Sequence, residues 1–271
     1  MFVNTMPRYE ILSADSIAVL DRGWRRIVSE IGVQFAKPEA VELFAKAGQQ
    51  VDGDVVKLDP EFVLEQVAKA PGEFDVQARN PANTVHIGGD HMVFGGVYGC
   101  PFVREGEVRR DATLDDFRRL TMLALSFGQL DTAGGVICEP NDAPLDSRHL
   151  DMIYALATLT DKFYMGNVVS GPNAADTIAM TSILFGGLDK GRASIEQTPA
   201  TISLINCNSP LRWDDRMLDA QFEYCAANQP VVITPFLLMG AMSPVTIPAA
   251  LVQQLAGAQQ PDGRLGRAEA G

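Results

Sequence analysis

The carboxylate of Glu139 is the first candidate for chemistry in this sequence, because it follows directly on an apolar run. Residues 130–138 are predicted to form a buried strand, and Glu139 closes it before Pro140. A carboxylate at the carboxyl end of a buried parallel strand can attract a cationic ligand. The alternative is a solvated carboxylate in the loop that enters the next helix.

Two asparagines occupy a similar position further along the chain. Asn206 ends the predicted strand 200–206, and Asn208 follows two residues later. Their side-chain amides could hydrogen-bond a ligand or the backbone. Asparagine after a strand also serves turns, because its side chain bonds the nearby backbone. Both interpretations stay open at this stage.

Four aromatic residues are candidates for a cage around a cation. The face of an aromatic ring attracts a positive charge through the ring quadrupole. Each ring could instead belong to the hydrophobic core, where aromatic side chains are commonly buried. The four candidates are Tyr98, Phe102, Tyr164 and Phe236.

The cysteines and histidines give little support for a metal site. No CxxC pair occurs, and four widely spaced cysteines do not form a disulfide framework. A zinc–thiolate site is weakly supported, so free buried cysteine is the default interpretation. His149 falls on a predicted helix, where we expect it to face solvent or a neighbouring carbonyl. The residues concerned are Cys100, Cys138, Cys207, Cys225, His86, His91 and His149.

Composition excludes several classes of protein. The chain has 271 residues, 21% of them charged, and a formal net charge of −12. Such an acidic chain would repel a phosphate backbone, so we expect no nucleic-acid partner. The first residues lack a signal-peptide pattern, and no apolar run is long enough to cross a membrane. These features predict a reduced, cytoplasmic protein without a membrane partner.

The elements that must position these residues fall into two groups. The sequence pattern of residues 1–110 predicts short helices after Ser13, Lys37 and Asp59, followed by several hairpins over 73–110. From residue 111, strands and helices alternate. The predicted strands are 130–138, 163–169, 200–206 and 231–236, and the predicted helices are 111–127, 145–159, 171–184, 214–227 and about 244–256.

This alternation predicts an α/β fold with a parallel sheet. No strand is followed by a GxGxxG or P-loop pattern, which leaves a βα barrel or a flavodoxin-like open sheet. About four βα units fit into 111–256, whereas a complete barrel needs eight. We therefore expect an N-terminal region over 1–110, half a barrel over 111–256 and a disordered tail over 257–271.

Several short segments together resemble one known family, that of the trimethylamine methyltransferases. The resemblance runs from Ile11 to about Gln254, and its most family-like segment is the run 239–246. The other segments are 11–15, 29–33, 78–81, 85–89, 110–116 and 206–211.

The resemblance implies a TIM barrel preceded by a helical and hairpin region. It also implies transfer of a methyl group from a tertiary or quaternary amine to the cobalt of a separate corrinoid protein, with no tightly bound cofactor. Glu139, the asparagines and the four rings would then bind the ammonium. Family members are longer, so we expect a truncated barrel whose open edges self-associate. The alternatives are an inactive half barrel and a remnant that only binds quaternary ammonium compounds.

Overall fold

The structure is a computed structural model that describes residues 2–7 and 9–258. It has a mixed α/β fold. The helices are α1 (Ala14–Arg26), α2 (Pro38–Lys46), α3 (Pro60–Val67), α4 (Leu114–Ser126), α5 (Arg148–Leu159), α6 (Gly171–Leu184), α7 (Leu188–Gln197), α8 (Asp215–Ala226) and α9 (Ile247–Ala258). The strands are β1 (Phe2–Val3), β2 (Val33–Phe35), β3 (Gln50–Asp52), β4 (Val55–Lys57), β5 (Glu73–Val76), β6 (Val85–Gly88), β7 (His91–Met92), β8 (Phe102–Glu105), β9 (Val108–Asp111), β10 (Tyr164–Met165), β11 (Thr201–Cys207), β12 (Arg212–Trp213) and β13 (Val231–Pro235).

The chain divides into two compact units. Unit 1 contains Met1–Thr5, Gly72–Leu204 and Ala227–Val231, and unit 2 contains Met6–Pro71, Ile205–Ala226 and the residues from Val232 onward. These boundaries differ from the sequence segments proposed above, whose division at residue 111 stays a prediction. Residues 257 and 258 belong to α9, and the rest of the predicted disordered tail lies outside the described residues.

Unit 1 combines helices with antiparallel strands. One sheet has the strand order β1-β7-β6-β5, and β8 pairs with β9 in a separate hairpin. A hydrophobic core forms around α4 and α5, with Phe117 and Leu156 fully or almost fully buried. Tyr164 and Cys138 belong to the same core cluster. This core supports the ends of the segments that carry Tyr98 and Glu139.

Unit 2 has its own small sheet and helical layer. The strand order is β12-β2-β4-β3, in which β12 and β2 are parallel and the other pairs antiparallel. Trp213 and Phe35 are buried there. Helix α1 packs closely on α9 at Gly23, where an added Cβ would lie 2.7 Å from Val252 Cγ2.

The parallel strands have the order β10-β11-β13. Tyr164 is paired with Thr201 in a parallel register, and β11 is buried over most of its length. The prediction of strands near 200–206 and 231–236 is confirmed. The strand predicted over 163–169 shortens to the two residues of β10.

The strand predicted over 130–138 is wrong as a regular element. Its backbone still lies beside β10, since Ala133 N donates to Phe163 O at 3.1 Å and Met165 N donates to Gly134 O at 2.8 Å. In a regular parallel pair of strands, the residue whose N–H donates to Phe163 O would also accept from Met165 N. Here Ala133 donates and Gly134 accepts, so the pairing is irregular. Gly134 has φ +78°, a conformation that interrupts the extended backbone.

The helices predicted after Ser13, Lys37 and Asp59 are confirmed. The Ser13 side chain accepts a hydrogen bond from Ser16 N, and Thr113 forms a capping box with Asp116. Helix α7 was not predicted, because its sequence is polar and contains Gly191. Among the described residues, no helix is both long and apolar enough to span a bilayer.

Candidate active site

Two irregular segments of unit 1 run side by side and bring Tyr98 close to Glu139. Gly99 N donates to Val136 O at 2.6 Å, and Glu139 N donates to Cys100 O at 2.9 Å. The segments approach closely at Gly135, where an added Cβ would lie 2.9 Å from Tyr98 Cε2. The added Cβ would also lie 2.9 Å from Met165 O, so the close approach of this backbone favours glycine at position 135.

Glu139 forms an ion pair with Arg148, in the first turn of α5. Its Oε2 lies 2.7 Å from Arg148 Nη2, and the two side chains are 26% and 21% exposed. Among the described residues, no donor engages the second carboxylate oxygen, Oε1. The pair is partly desolvated yet remains accessible, so a charged ligand can compete for either partner.

Tyr98 is half-buried beside this pair. Burial and the negative charge of Glu139 together raise the pKa of Tyr98 to about 12. The phenol is therefore neutral at neutral pH. A neutral ring next to a carboxylate suits a cation, which is attracted by both the ring quadrupole and the negative charge.

The other two aromatic candidates of unit 1, Phe102 and Tyr164, already contact side chains of the chain itself. The Phe102 ring faces the guanidinium of Arg109, whose Cζ lies 4.0 Å from the ring centroid. Tyr164 is 4% exposed, and its hydroxyl lies 2.8 Å from Thr181 Oγ1. Burial raises the pKa of Tyr164 to about 12. Tyr164 thus contributes to the core, and Phe102 contacts a cation of the chain itself.

The remaining three candidates belong to unit 2. Asn206 Oδ1 accepts a hydrogen bond of 2.6 Å from Thr234 Oγ1 on β13. Asn208 Nδ2 donates to Asp214 Oδ2 at 2.9 Å, and its backbone pairs with Arg212 across a tight turn. Phe236 is exposed, and its N–H donates to Cys207 O at 2.9 Å. The amide of Asn208 therefore serves turn structure.

Sequence reasoning missed Arg148 and placed His149 wrongly. The signal for Arg148 was only its position near the start of the predicted helix. His149 is 4% exposed, and its Nε2 lies 2.8 Å from Asp176 Oδ2 rather than facing solvent or a carbonyl. His149 Nδ1 is buried, and none of the described residues forms a hydrogen bond with it. The imidazole therefore packs between α5 and α6 instead of lying on the surface.

The buried thiols of Cys138 and Cys207 are not activated. Within the described residues, no disulfide joins Cys100, Cys138 and Cys207. Burial raises the pKa of Cys138 to about 11 and that of Cys207 to about 12. Within the described part of the chain, no group of three His, Cys, Asp or Glu side chains is arranged to hold a metal ion.

Two solved structures of a monomethylamine methyltransferase (MtmB) have a similar fold. A monomethylamine methyltransferase (MtmB) from Methanosarcina barkeri matches with a TM-score of 0.57 at 11% identity, over 89% of this chain and 49% of that one. A hydroxylamine complex of MtmB matches with a TM-score of 0.58 at 12% identity, over 91% and 50%. At this identity the likeness shows the fold alone.

The family model for trimethylamine methyltransferase (MTTB) matches residues 1–260, so the chain belongs to that family. A glycine betaine methyltransferase of Desulfitobacterium hafniense (strain Y51) is 38% identical over 92% of this chain. A proline betaine:corrinoid methyltransferase of Eubacterium limosum is 25% identical over 93% of it. The match covers 51% and 52% of these relatives, so the chain spans about half their length.

Proposed function

We propose that this chain provides the methyl-donor side of a corrinoid-dependent methyltransferase. Its substrate is a methylated amine, and the methyl acceptor is the cobalt of a separate corrinoid protein. The observation that carries the proposal is the accessible ion pair of Glu139 and Arg148, on a segment that is hydrogen-bonded to the one carrying Tyr98. The order β10-β11-β13 and the helices that follow these strands support a partial βα barrel.

The ion pair favours a donor that carries both charges. A quaternary ammonium would lie against the Tyr98 ring and Oε1 of Glu139, whereas a carboxylate of the same donor would bind Arg148. Guanidinium groups bind carboxylates well because their N–H donors match both oxygens. A betaine has both groups, and trimethylamine has only the cationic one. We therefore assign a betaine as the methyl donor.

The role of these residues is to bind and orient the donor. When bound, the corrinoid supplies a nucleophilic cobalt that accepts the methyl group. Glu139 and Tyr98 hold the ammonium, and Arg148 fixes the direction in which the donor points. Such positioning lowers the entropic part of the activation barrier. Partial burial strengthens these charge interactions by excluding water.

Calorimetric binding of glycine betaine and of tetramethylammonium tests the assignment. In Arg148→Gln, we expect affinity for glycine betaine to fall roughly tenfold or more, the usual cost of losing a hydrogen bond to a charged group. Affinity for tetramethylammonium, which has no carboxylate, should stay the same or rise. Glu139→Gln should weaken the binding of both ligands, because both present a cation to this carboxylate.

Arg192→Gln is the matched control. Arg192 forms an ion pair of 2.7 Å with Glu196 on α7, outside the candidate site. This variant should bind both ligands as the unaltered protein does. Equal losses for both ligands in Arg148→Gln would overturn the betaine assignment. Betaine binding without methyl transfer to a corrinoid protein would support a binding module and contradict the proposed enzyme.

A further inference from the structure

Two cysteines of unit 1 lie opposite each other beside the candidate site. Cys100 and Cys138 pair directly across the two irregular segments, in a parallel arrangement. Glu139 follows Cys138 in the sequence, and Tyr98 lies two residues before Cys100. A covalent link between the two cysteines would therefore act on both segments of the candidate site.

The direct pairing brings the two thiols together. Side chains of directly paired residues point to the same side of the pair, because successive side chains alternate along each segment. Paired segments lie about 4.8 Å apart, within the range of about 4.4 to 6.8 Å that separates the Cα atoms of a disulfide. Burial, and after it the charges of Asp116 and Cys100, raise the pKa of Cys138 to about 11. The two sulfur atoms are thus close enough to interact.

Hydrogen bonds hold the cysteine pair in register on both sides. Before the pair, Gly99 N donates to Val136 O, and after it Glu139 N donates to Cys100 O. Beyond the pair, Asn141 Nδ2 donates to Pro101 O at 2.9 Å and to Glu139 O at 3.2 Å, one carbonyl on each segment. Groups that are held together in this way react without the entropic cost of an encounter.

The two thiols differ in how well an oxidant can reach them. Cys138 is 1% exposed and belongs to the core around α4 and α5, whereas Cys100 is half-buried. Oxidation of a thiol depends on its exposure, so a small oxidant reaches Cys100 first. Because the thiolate is the attacking form, the high pKa of Cys138 makes its later attack slow at neutral pH and faster as the pH rises.

We propose that Cys100 and Cys138 form a reversible disulfide when a peroxide oxidises the protein, and that this link weakens donor binding at Glu139 and Arg148. The effect on the donor rests on the proposed function. The Cys100 sulfur attacks hydrogen peroxide, an S–O bond forms, the O–O bond breaks and water leaves. The Cys138 sulfur then attacks the Cys100 sulfur, the S–S bond forms, and the S–O bond breaks with release of a second water. The two thiols lose two electrons and two protons, and the peroxide is reduced to water.

The link should disturb the donor site because it changes the spacing of the two segments. A disulfide joins Cβ atoms about 3.8 Å apart, whereas the paired segments are spaced by about 4.8 Å. Closure therefore draws the segments together by about 1 Å and displaces the Glu139 carboxylate relative to Arg148. The methyl acceptor of the proposed reaction must be a reduced, nucleophilic cobalt, which the same oxidant would consume. A donor site that closes under oxidation would stop binding substrate when the acceptor is lost.

Peptide mass spectrometry without reduction, after treatment with hydrogen peroxide, tests the link. We expect a Cys100–Cys138 cross-linked peptide that is absent from Cys100→Ser. Alkylation of Cys100 in the folded protein before oxidation should also prevent it. Cys225→Ser is the matched control, since Cys225 is a half-buried cysteine of unit 2, and this variant should keep the link.

Calorimetry then tests the effect on the site. Oxidation should lower the affinity for glycine betaine roughly tenfold, the cost of losing a hydrogen bond to a charged group, and dithiothreitol should restore it. In Cys100→Ser, whose fold circular dichroism checks, peroxide should leave the affinity unchanged. Absence of the linked peptide from the folded protein would overturn the inference, and so would a linked protein that binds glycine betaine as the reduced one does. If the reduced protein bound no betaine, the proposed function would fail, whereas the linked peptide would still establish the modification site.

Discussion

Two regions of unit 1 each place a basic side chain among oxygen atoms, and they use it differently. Lys162 Nζ donates to the carbonyls of Ala124, Phe127 and Leu130 at 3.2, 2.9 and 2.6 Å, at the carboxyl end of α4. Arg148 faces the carboxylate of Glu139, a single side chain. A ligand can displace a side-chain partner, but it cannot displace helix carbonyls without unfolding the turn. Of these two cations, Arg148 is therefore the one that we assign to the proposed donor site.

The same contrast explains why a cavity in unit 1 is a poor candidate for the donor site. A cavity of about 450 Å³ in unit 1 is lined in part by Asp131, Asp161 and Lys162. Asp161 already accepts hydrogen bonds of 2.9 Å from Asn80 and Asn83. Asp131 accepts from the backbone N–H of Phe94. Its charged groups are used to hold loops together, so volume alone does not identify the site.

Replacing Lys162 should have the largest effect on stability and none on ligand specificity. Lys162→Met removes the donor that satisfies three carbonyls at a helix end, which should lower the free energy of unfolding by about 2 to 4 kcal/mol. Urea unfolding measures this change. The ratio of glycine betaine affinity to tetramethylammonium affinity should stay constant.

Lys190→Met is the control, since Lys190 is an exposed lysine of α7 and loses the same charge. We expect a change within about 0.5 kcal/mol, as for most surface substitutions. If the two lysine variants were equally stable, Lys162 would have no structural role, and the contrast with Arg148 would fail.

The sequence allowed the prediction of features that depend on local chemistry. The helix starts after Ser13 and Asp59 and the apolar strand β11 could be identified because side-chain type and spacing determine them. The regular strand before Glu139 could not, since its apolar residues conceal the positive φ of Gly134. Glycine permits such a backbone but does not require it.

The candidate site was partly predictable for the same reason. Glu139 was identified from its place after an apolar run, although the run is irregular. Its pairing with Arg148 depends on how α5 packs, which no spacing rule reports. Phe102 and Tyr164 are aromatic, as a cage around a cation requires. In the structure, however, Phe102 contacts Arg109 and Tyr164 contacts Thr181. Residue type indicates what a side chain can bind, and tertiary contacts decide what it does bind.

The ion pair of Arg110 and Asp116, at the amino end of α4, should make the stability of the fold depend on pH. Arg110 and Thr113 hold the pKa of Asp116 well below its usual range. Its stabilising effect is therefore complete above the ordinary carboxyl pKa, near 4, and is lost as the pH falls further. Asp116→Asn should cost about 1 to 2 kcal/mol at pH 7, as for a lost charge-assisted hydrogen bond, and should flatten the acid limb of the stability profile.

Asp115→Asn separates this effect from a general change of charge. Asp115 lies in the same helical turn, is exposed and forms no bond to Arg110. Its stability profile should keep the acid limb of the unaltered protein. An unchanged acid limb in Asp116→Asn would show that other carboxylates determine the acid sensitivity of the fold.

Loss of the Glu139–Arg148 ion pair should change the free energy of unfolding less than the replacement of Lys162 or of Asp116. A double-mutant cycle with Glu139→Gln and Arg148→Gln should give a coupling free energy of about 0.2 to 1 kcal/mol, the range for partly exposed ion pairs. Saturating glycine betaine should reduce this coupling, because the donor then bonds to both side chains. A coupling that stays constant with glycine betaine bound would mean that the pair is structural, like Lys162. In that case neither residue would be the contact that selects a betaine.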